Sequence, residues 1–227
     1  MPGGVLVDAP LAGTLAAIDA DDEWVSWRLV PGRPDEDWVR CADVDAAFVT
    51  AWERAAAAHQ AAEHRRSDPR AAAAHVLGWY AELPGTVGGR LFAAARRVPR
   101  VDAGSLAFRQ HPAESWADGV VLLDDRFWCL PGDAAADHPS ATVVASEEEL
   151  SALLRRQVRA HADAFLRWYR PGARLARRNL LGAFVDGLDC GVWHGEDPGP
   201  AGRAAVQAAA SRVLPGGTPE FAEASTL

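Results

Sequence analysis

The sequence predicts an α+β fold, mainly α, with two helical lobes flanking a small antiparallel β-hairpin sheet. Helix start signals followed by apolar residues at helical spacing dominate the first and last thirds of the chain. Between them lie two short runs rich in Val, Leu, Phe and Trp, Gly119–Leu123 and Arg126–Leu130. The 227 residues, 49% of them hydrophobic, are enough to bury one continuous core.

We predict a single domain over residues 1–227, with the sheet at the seam between the lobes. The helical lobes are expected at 1–100 and 146–215, on either side of a hairpin region at 101–145. Residues 216–227 are predicted to form a flexible tail.

Capping residues and prolines define four predicted helices in the first lobe. Asp43 or Asp45 is the N-cap of a long helix, and Asp68 followed by Pro69 starts the next one. Pro84-Gly85 is expected to end that helix, because an interior proline removes a backbone hydrogen bond. The predicted spans are about Leu11–Ile18, from Asp43 or Asp45 to about His64, 69–83 and 86–97.

Turn and capping signals divide the rest of the chain. Asp124-Asp125 predicts a tight turn that joins the two apolar runs as a hairpin. Ser146 with Glu149 forms a capping box for a helix that runs to Tyr169. Two further helices are predicted over about 173–193 and from Asp197-Pro198 to Pro215-Gly216.

Composition excludes several partner classes. The net charge of −8 and the pI near 5.3 argue against nucleic acid, which requires clustered cations. No apolar run approaches the roughly 20 residues of a membrane span. The N-terminus lacks the basic start of a secretory signal, so we expect a cytoplasmic protein. All 23 cations are Arg, which excludes lysine Schiff-base chemistry.

No metal or cofactor is predicted. The seven His residues show no H-x-x-x-H or H-E-x-x-H spacing, and no P-loop, dinucleotide fingerprint or G-x-S-x-G elbow occurs. Cys41, Cys129 and Cys190 are too scattered to hold an iron–sulfur cluster, which usually takes four thiolates. Nine Trp residues indicate either core packing or a pocket for a flat ligand.

The predicted helix over 173–193 carries the first candidate site. Asp186 and Trp193 share one of its faces, and Arg178 lies about two turns before Asp186 on the same side. A buried Asp186 beside Arg178 would serve as general base or anchor, and Trp193 as a substrate contact; the alternative is a structural ion pair. His194 is a candidate acid/base group, or a residue that only interacts with the helix dipole.

The hairpin region carries the second candidate site. Strand alternation places Arg126 and Trp128 on one face, where they would bind an anionic aromatic ligand by charge and stacking. Arg109 is a further substrate-binding candidate and His111 a catalytic one. A solvated sheet face explains the same residues without any ligand.

Two groups of residues resemble the FhuF-type ferric-siderophore reductases and their actinobacterial relatives over about residues 40–215. The first group is Arg96-Arg97-Val98-Pro99 followed by Arg126-Phe127-Trp128-Cys129-Leu130-Pro131-Gly132-Asp133. The second is Ser146-Glu147-Glu148-Glu149-Leu150 followed by Arg178-Asn179-Leu180-Leu181-Gly182, Asp186 and Leu188. The resemblance implies a shared scaffold and a cavity that could receive a siderophore.

Two departures limit what the resemblance implies. Members of that family end in adjacent cysteines and a Cys-x-x-Cys that bind a [2Fe–2S] cluster, whereas this sequence ends at Leu227, about where that segment would begin. The position of Leu181 is commonly Trp in the family. Iron reduction is therefore not implied, unless the sequence has been cut before the cluster segment.

Three hypotheses remain. The first is a cofactor-independent enzyme that performs acid/base condensation, cyclisation or isomerisation on a small aromatic or polar metabolite in specialised biosynthesis. The second is a protein that binds a ferric siderophore or its precursor without reacting. The third is a reductase whose cluster segment is missing from the chain. The first predicts that Asp186 or His111 lines a cavity. The oligomeric state is left open.

Overall fold

The computed structural model describes residues 9–23, 25–32, 34–65, 68–170, 175–193, 200–216 and 218–222. These residues form an α+β fold that is mainly α, as predicted. The helices are α1 Pro10–Asp21, α2 Ala46–His64, α3 Pro69–Ala95, α4 Glu147–Leu166, α5 Arg177–Trp193 and α6 Pro200–Val213. The strands are β1 Ser26–Leu29, β2 Val39–Arg40, β3 Val98–Pro99, β4 Leu106–Gln110, β5 Ala117–Leu122, β6 Phe127–Cys129 and β7 Ala141–Val143.

The strands form two sheets, and the predicted hairpin between β5 and β6 does not form. One sheet has the order β1-β5-β4-β2 and the other β3-β6-β7, with parallel pairing of β1 to β5 and of β6 to β7. The Asp124 carboxylate explains why β5 and β6 belong to different sheets. Its carboxylate accepts the backbone N–H and the guanidinium of Arg126, so the turn is satisfied locally and β6 is free to pair with β3.

Three predicted helix starts are confirmed by their caps. The Asp45 carboxylate accepts the Phe48 N–H at 2.8 Å, and Asp68 accepts the Arg70 N–H at 2.8 Å. Ser146 Oγ accepts the Glu149 N–H at 3.2 Å. Each side chain satisfies a backbone donor that has no partner within the helix.

The predicted break at Pro84 is wrong, since α3 continues through it to Ala95. A proline removes one intrahelical hydrogen bond but keeps a helical φ, so packing can maintain the helix. Pro84 is buried, and α3 packs along α5, so the two helical lobes contact each other directly. Among the described helices, none combines the length and the apolar composition needed to cross a membrane.

The start of the predicted tail is packed against the core. Pro219–Phe221 forms a 3-10 turn in which the Phe221 side chain is 1% exposed. Arg155 Nε on α4 pairs with Glu220 Oε2 at 3.0 Å, and Arg159 donates to the Glu220 carbonyl. The buried Phe221 ring and the two arginine contacts therefore hold in place a segment that the sequence analysis predicted to be flexible.

A bidentate ion pair joins Arg97, just before β3, to Asp133 beyond β6. Nε and Nη2 of Arg97 donate to the two carboxylate oxygens at 2.8 and 2.7 Å, and Nη1 donates to the Pro10 carbonyl at 2.7 Å. These hydrogen bonds hold the pKa of Asp133 below its usual range. The pair thus connects α1, the end of α3 and the second sheet.

Replacing Asp133 with asparagine is expected to lower the free energy of unfolding by about 2 kcal/mol, the usual contribution of hydrogen bonds to charged groups. Urea denaturation at pH 7 measures the loss. Asp137→Asn is the matched control, because Asp137 is exposed in the same loop. Equal stability of the two variants would contradict a structural role for the pair.

Candidate functional site

A surface groove lies where the end of α1, strand β1, the middle of α3 and the β4–β5 hairpin meet. Three adjoining cavities form it: the first two share Val25 and Trp116, and the last two share Trp79 and Glu82. The polar cavity measures about 460 Å³ and the middle one about 280 Å³. We call this surface the tryptophan groove, because its walls include the indoles of Trp27, Trp79 and Trp116.

His111 and Trp116 begin and end the loop between β4 and β5 at the polar end of the groove. The His111 N–H donates to the Trp116 carbonyl at 2.7 Å, and the two rings stack at 5.3 Å with an interplanar angle of 9°. The Glu114 backbone N–H donates to His111 Nδ1 at 3.1 Å, so the neutral ring carries its proton on Nε2. The loop therefore orients the imidazole by engaging Nδ1, and the ring lines the polar cavity.

Trp52 holds this loop in place. Its Nε1–H donates to the Ser115 carbonyl, and its indole stacks on Trp79 at 6.1 Å and on Phe108 at 5.3 Å. Ser115 has a φ of 68°, in the left-handed region that residues with a Cβ rarely adopt. Such a conformation persists only where surrounding contacts enforce it, and the Trp52 hydrogen bond is one of them.

A β-bulge places Asp118 in the groove. Arg109 pairs with Gly119 and Gln110 with Ala117, so Asp118 is an extra residue in β5. In a regular strand Ala117 and Asp118 would face opposite sides, whereas here both line the groove. Asp118 Oδ1 accepts a hydrogen bond from Arg109 Nε at 2.8 Å. The bulge thus creates a fixed ion pair beside His111.

Asp22 fixes the wall that β1 contributes. Its Oδ2 accepts the Trp27 Nε1–H at 2.9 Å and pairs with Arg90 Nη1 at 2.9 Å. The Arg90 guanidinium lies 5.0 Å from the centre of the Trp27 ring, and Asp19 Oδ1 accepts the Trp27 backbone N–H at 2.7 Å. Both ends of Trp27 are therefore hydrogen-bonded, and the indole is held rigidly.

Helix α3 supplies the opposite wall. Trp79, Glu82 and Thr86 recur at i, i+3 and i+7, so they share one face, and all three line the groove. Glu82 is exposed and lies next to α5, where burial, followed by the charge of Glu82, raises the pKa of the Cys190 thiol. The apolar end of the groove therefore carries a carboxylate at its edge.

The structure brings together two of the predicted site residues, Arg109 and His111, which both line the polar cavity. Trp128 lies in the second sheet instead, on β6, and Arg126 directly precedes that strand. Arg126 pairs with Asp124, and its side chain is 61% exposed. The Trp128 ring packs against the Arg100 guanidinium at 4.8 Å. Both members of the predicted aromatic and cationic platform are thus engaged by neighbours within that sheet.

The candidate residues on α5 occupy its outer side. Asp186, predicted to be buried, is exposed, as is Arg178. Partial desolvation, followed by the charge of Asp189, raises the pKa of Asp186. Trp193 is 46% exposed and donates its Nε1–H to Asp189 at 3.1 Å. His194 lies outside the described residues.

The cysteines do not fit the cluster of the family that the sequence resembles. Cys41 and Cys129 are buried at separate places, and Cys190 is exposed on α5. Burial, followed by the charges of Glu82, Asp189 and Asp186, raises the pKa of Cys190, which disfavours the thiolate that binds metals. Across the described ranges, no group of three or more His, Cys, Asp or Glu could hold a metal ion.

Comparisons with models of protein families, with curated proteins and with solved structures found no match to this chain. A functional assignment therefore depends on the groove itself and on the residues quoted above for the resemblance.

The groove residues that the sequence analysis missed come from four separate elements. One signal was present, because Trp79, Glu82 and Thr86 repeat at helical spacing on a helix whose other faces are apolar. No local pattern could have indicated Asp118, since a bulge depends on how two strands pair.

Proposed function

We propose that this chain is a cofactor-independent enzyme that binds a small aromatic or polar metabolite in the tryptophan groove and acts on it by acid/base chemistry. The observation that carries the proposal is the placement of His111, whose Nδ1 is engaged by its own loop while the ring lines a cavity of about 460 Å³. Condensation, cyclisation or isomerisation in cytoplasmic specialised metabolism fits such a site.

The residues around His111 have distinct roles in this proposal. The Trp79 and Trp116 rings bind the flat part of the ligand by stacking, and the buried Trp27 forms part of the groove wall. His111 Nε2 exchanges the proton, and the stacked Trp116 ring keeps the imidazole in position. The Arg109–Asp118 pair lies in the same cavity and orients polar substituents of the ligand.

Replacing His111 with alanine is expected to lower turnover about 100-fold, the low end of what a positioned acid/base group contributes, with little change in ligand binding. Substrates are sought by mixing the protein with pools of aromatic metabolites and following their NMR spectra for new products. His138→Ala is the matched control, because His138 Nδ1 likewise accepts a loop N–H, from Ser140 at 3.1 Å, but in the loop between β6 and β7. Turnover that survives His111→Ala and replacement of the groove tryptophans would refute the proposal.

We also propose that the scaffold is related to that of the FhuF-type reductases. In support, the residues that carry the resemblance contact one another: Arg97 pairs with Asp133 at 2.7 Å, and Arg96 Nε with Glu147 at 2.9 Å. These contacts lie in and around the second sheet, so the shared residues speak for a common scaffold rather than a common reaction.

Two alternatives follow from that relationship: a ferric-siderophore binding protein, and a reductase whose [2Fe–2S] segment is missing from this sequence. Tryptophan fluorescence titration with ferric and metal-free chelators distinguishes the first from an enzyme. Tight quenching by the ferric form without a product favours binding. The sequence of the encoding gene beyond Leu227 decides the second.

A further inference from the structure

The loop between β4 and β5 fixes the hydrogen-bonding role of the His111 ring. A backbone amide can only donate, so the Glu114 N–H, 3.1 Å from Nδ1, makes that nitrogen an acceptor without a proton. The loop closes around this contact, since the His111 N–H donates to the Trp116 carbonyl and the Ser115 N–H to the His111 carbonyl. In the neutral ring Nε2 therefore carries the proton, and a second proton on Nδ1 would break the hydrogen bond from Glu114.

The second ring nitrogen, Nε2, has no acceptor of its own in the described part of the protein. Trp116 stacks on the imidazole at an interplanar angle of 9°, which covers one face of the ring, and the ring lines the polar cavity of about 460 Å³. A polar N–H beside a cavity takes its acceptor from what fills the cavity. A ligand that reaches Nε2 therefore meets a hydrogen-bond donor rather than a lone pair.

From this geometry we infer that His111 acts as a neutral hydrogen-bond donor and that the ligand of the tryptophan groove presents a carbonyl oxygen to Nε2. The inference rests on the proposed function for its site, and it names the group on which His111 acts. Condensation, cyclisation and isomerisation at a carbon beside a ketone or aldehyde develop negative charge on the carbonyl oxygen. A fixed neutral donor stabilises that charge, and the hydrogen bond strengthens as the charge grows.

The proton on Nε2 also assigns the direction of proton transfer. A nitrogen that already holds a proton does not remove one from carbon, so His111 serves the oxygen and a carboxylate of the same cavity takes the carbon-bound proton. Asp118 lies in that cavity, with Oδ1 bonded to Arg109 Nε at 2.8 Å. The C–H electron pair then forms the C=C bond of an enolate, and the carbonyl π pair moves onto the oxygen that Nε2 contacts. Return of the proton to a different atom completes an isomerisation.

The shape of the groove suits an aryl ketone or aldehyde. The polar cavity that His111 lines adjoins the middle cavity, and Val25 and Trp116 line both. Trp79 also lines the middle cavity, so an aromatic ring stacked there would extend a carbonyl substituent into the polar cavity. The ring of the ligand and its reacting oxygen would thus be held by different parts of one groove.

The protonation of His111 can be measured without any ligand. Two-bond proton–nitrogen NMR spectra of histidine-labelled protein at pH 8 show which ring nitrogen holds the proton, and His111→Ala identifies the His111 signals among those of the seven histidines. We expect the proton on Nε2. A proton on Nδ1 would overturn the inference, because the hydrogen bond from Glu114 could not then form.

Calorimetric titration with indole-3-carboxaldehyde and 3-methylindole tests the ligand class. The two probes share one ring system and differ in the carbonyl group. We expect the aldehyde to bind about fivefold more tightly, the usual effect of one neutral hydrogen bond. His111→Ala should abolish this preference, whereas His111→Gln should retain part of it, since the glutamine amide still donates. His138→Ala removes a histidine whose Nδ1 also accepts a loop N–H, and it should leave the preference unchanged.

The outcomes separate this inference from the proposed function. Equal affinity for the two probes would overturn the carbonyl class. Turnover by His111→Gln at least tenfold above that of His111→Ala supports the donor role. Equally low turnover by both variants would mean that the ring itself must accept a proton, so the inference would fall and the proposed function would stand. Turnover that neither replacement lowers would overturn both.

Discussion

Replacing Gly187 with alanine is expected to lower the free energy of unfolding by about 3 kcal/mol, because the added methyl group meets backbone that cannot move aside. A Cβ at this position would lie 2.8 Å from Glu82 Cα and 2.9 Å from the Ala81 carbonyl oxygen. Gly85 and Gly89 on α3 and Gly191 on α5 are similarly close to the facing helix. The two helices thus cross through glycines at a four-residue spacing, and each methyl group would force them apart.

Gly182 offers a matched control in the same helix. A Cβ there meets no atom within 4 Å, so Gly182→Ala should raise the free energy of unfolding by about 0.5–1 kcal/mol through helix propensity alone. Urea denaturation of the two variants measures opposite shifts of the midpoint. If Gly187→Ala were as stable as Gly182→Ala, close approach of the helices would not determine stability.

The helix crossing also bears on the groove. Glu82 faces Gly187 through its backbone and lines the groove through its side chain. Moving α5 away from α3 would therefore shift the Glu82 side chain at the edge of the groove.

Signals that act within one turn of chain were sufficient to predict the helix starts. Asp45, Asp68 and Ser146 each satisfy a backbone N–H two or three residues ahead, a contact that depends on no distant part of the molecule. The α+β class followed from the same local information. Helix ends were less predictable: α4 ends at Leu166, three residues before the predicted Tyr169.

Features set by distant contacts could not be predicted in this way. Pro84 is kept helical by the packing of α3 on α5, and Phe221 is buried by α4. The runs around β5 and β6 are adjacent in sequence, yet each pairs with a strand from elsewhere. A turn signal such as Asp124-Asp125 indicates where the chain bends but not which strand becomes the neighbour.

The same distinction between local signals and distant contacts explains which residues of the candidate site could be predicted. Arg109 and His111 could be predicted because a charged residue and a His close a strand at a loop, where functional side chains often occur. The Asp186 face of α5 is polar because it faces solvent, while Phe184 and Leu188 face the core. Periodicity identifies a polar face, and only the tertiary structure shows whether solvent or a cavity lies beside it.

A buried histidine in the core should make stability depend steeply on pH. His161 on α4 is fully buried against α3 and α5, with Nδ1 at 2.7 Å from the Val101 carbonyl and Nε2 at 3.0 Å from the Tyr80 hydroxyl. Nδ1 must donate to the carbonyl. In the neutral ring Nε2 then accepts from the Tyr80 hydroxyl, which lies 3.0 Å from Nε2 and 3.4 Å from its other acceptor, the Cys41 carbonyl. Phe184 and Tyr80 surround it, and burial lowers the pKa of His161 to about 4.

Stability is therefore expected to fall by about 3 kcal/mol between pH 6.5 and 4, at 1.36 kcal/mol for each pH unit. In the unfolded chain the imidazole has its ordinary pKa of 6.5, so the unfolded state takes up a proton first as the pH falls. The contribution is fully present above pH 6.5 and is lost as the pH approaches the folded-state pKa. Urea denaturation at half-unit steps from pH 7 to 4 measures this slope.

A variant separates the contribution of His161 to this pH dependence from that of carboxylates that titrate in the same pH range. His161→Asn keeps a donor for the Val101 carbonyl but has no titratable ring, so it should be less stable than the unchanged protein at pH 7 and lose less stability on acidification. The two stability curves should converge by about 3 kcal/mol between pH 6.5 and 4. His138→Asn, in a partly exposed loop, should keep the full slope. Parallel curves for His161→Asn and the unchanged protein would mean that His161 binds its proton equally in both states, contrary to its burial against the Val101 carbonyl.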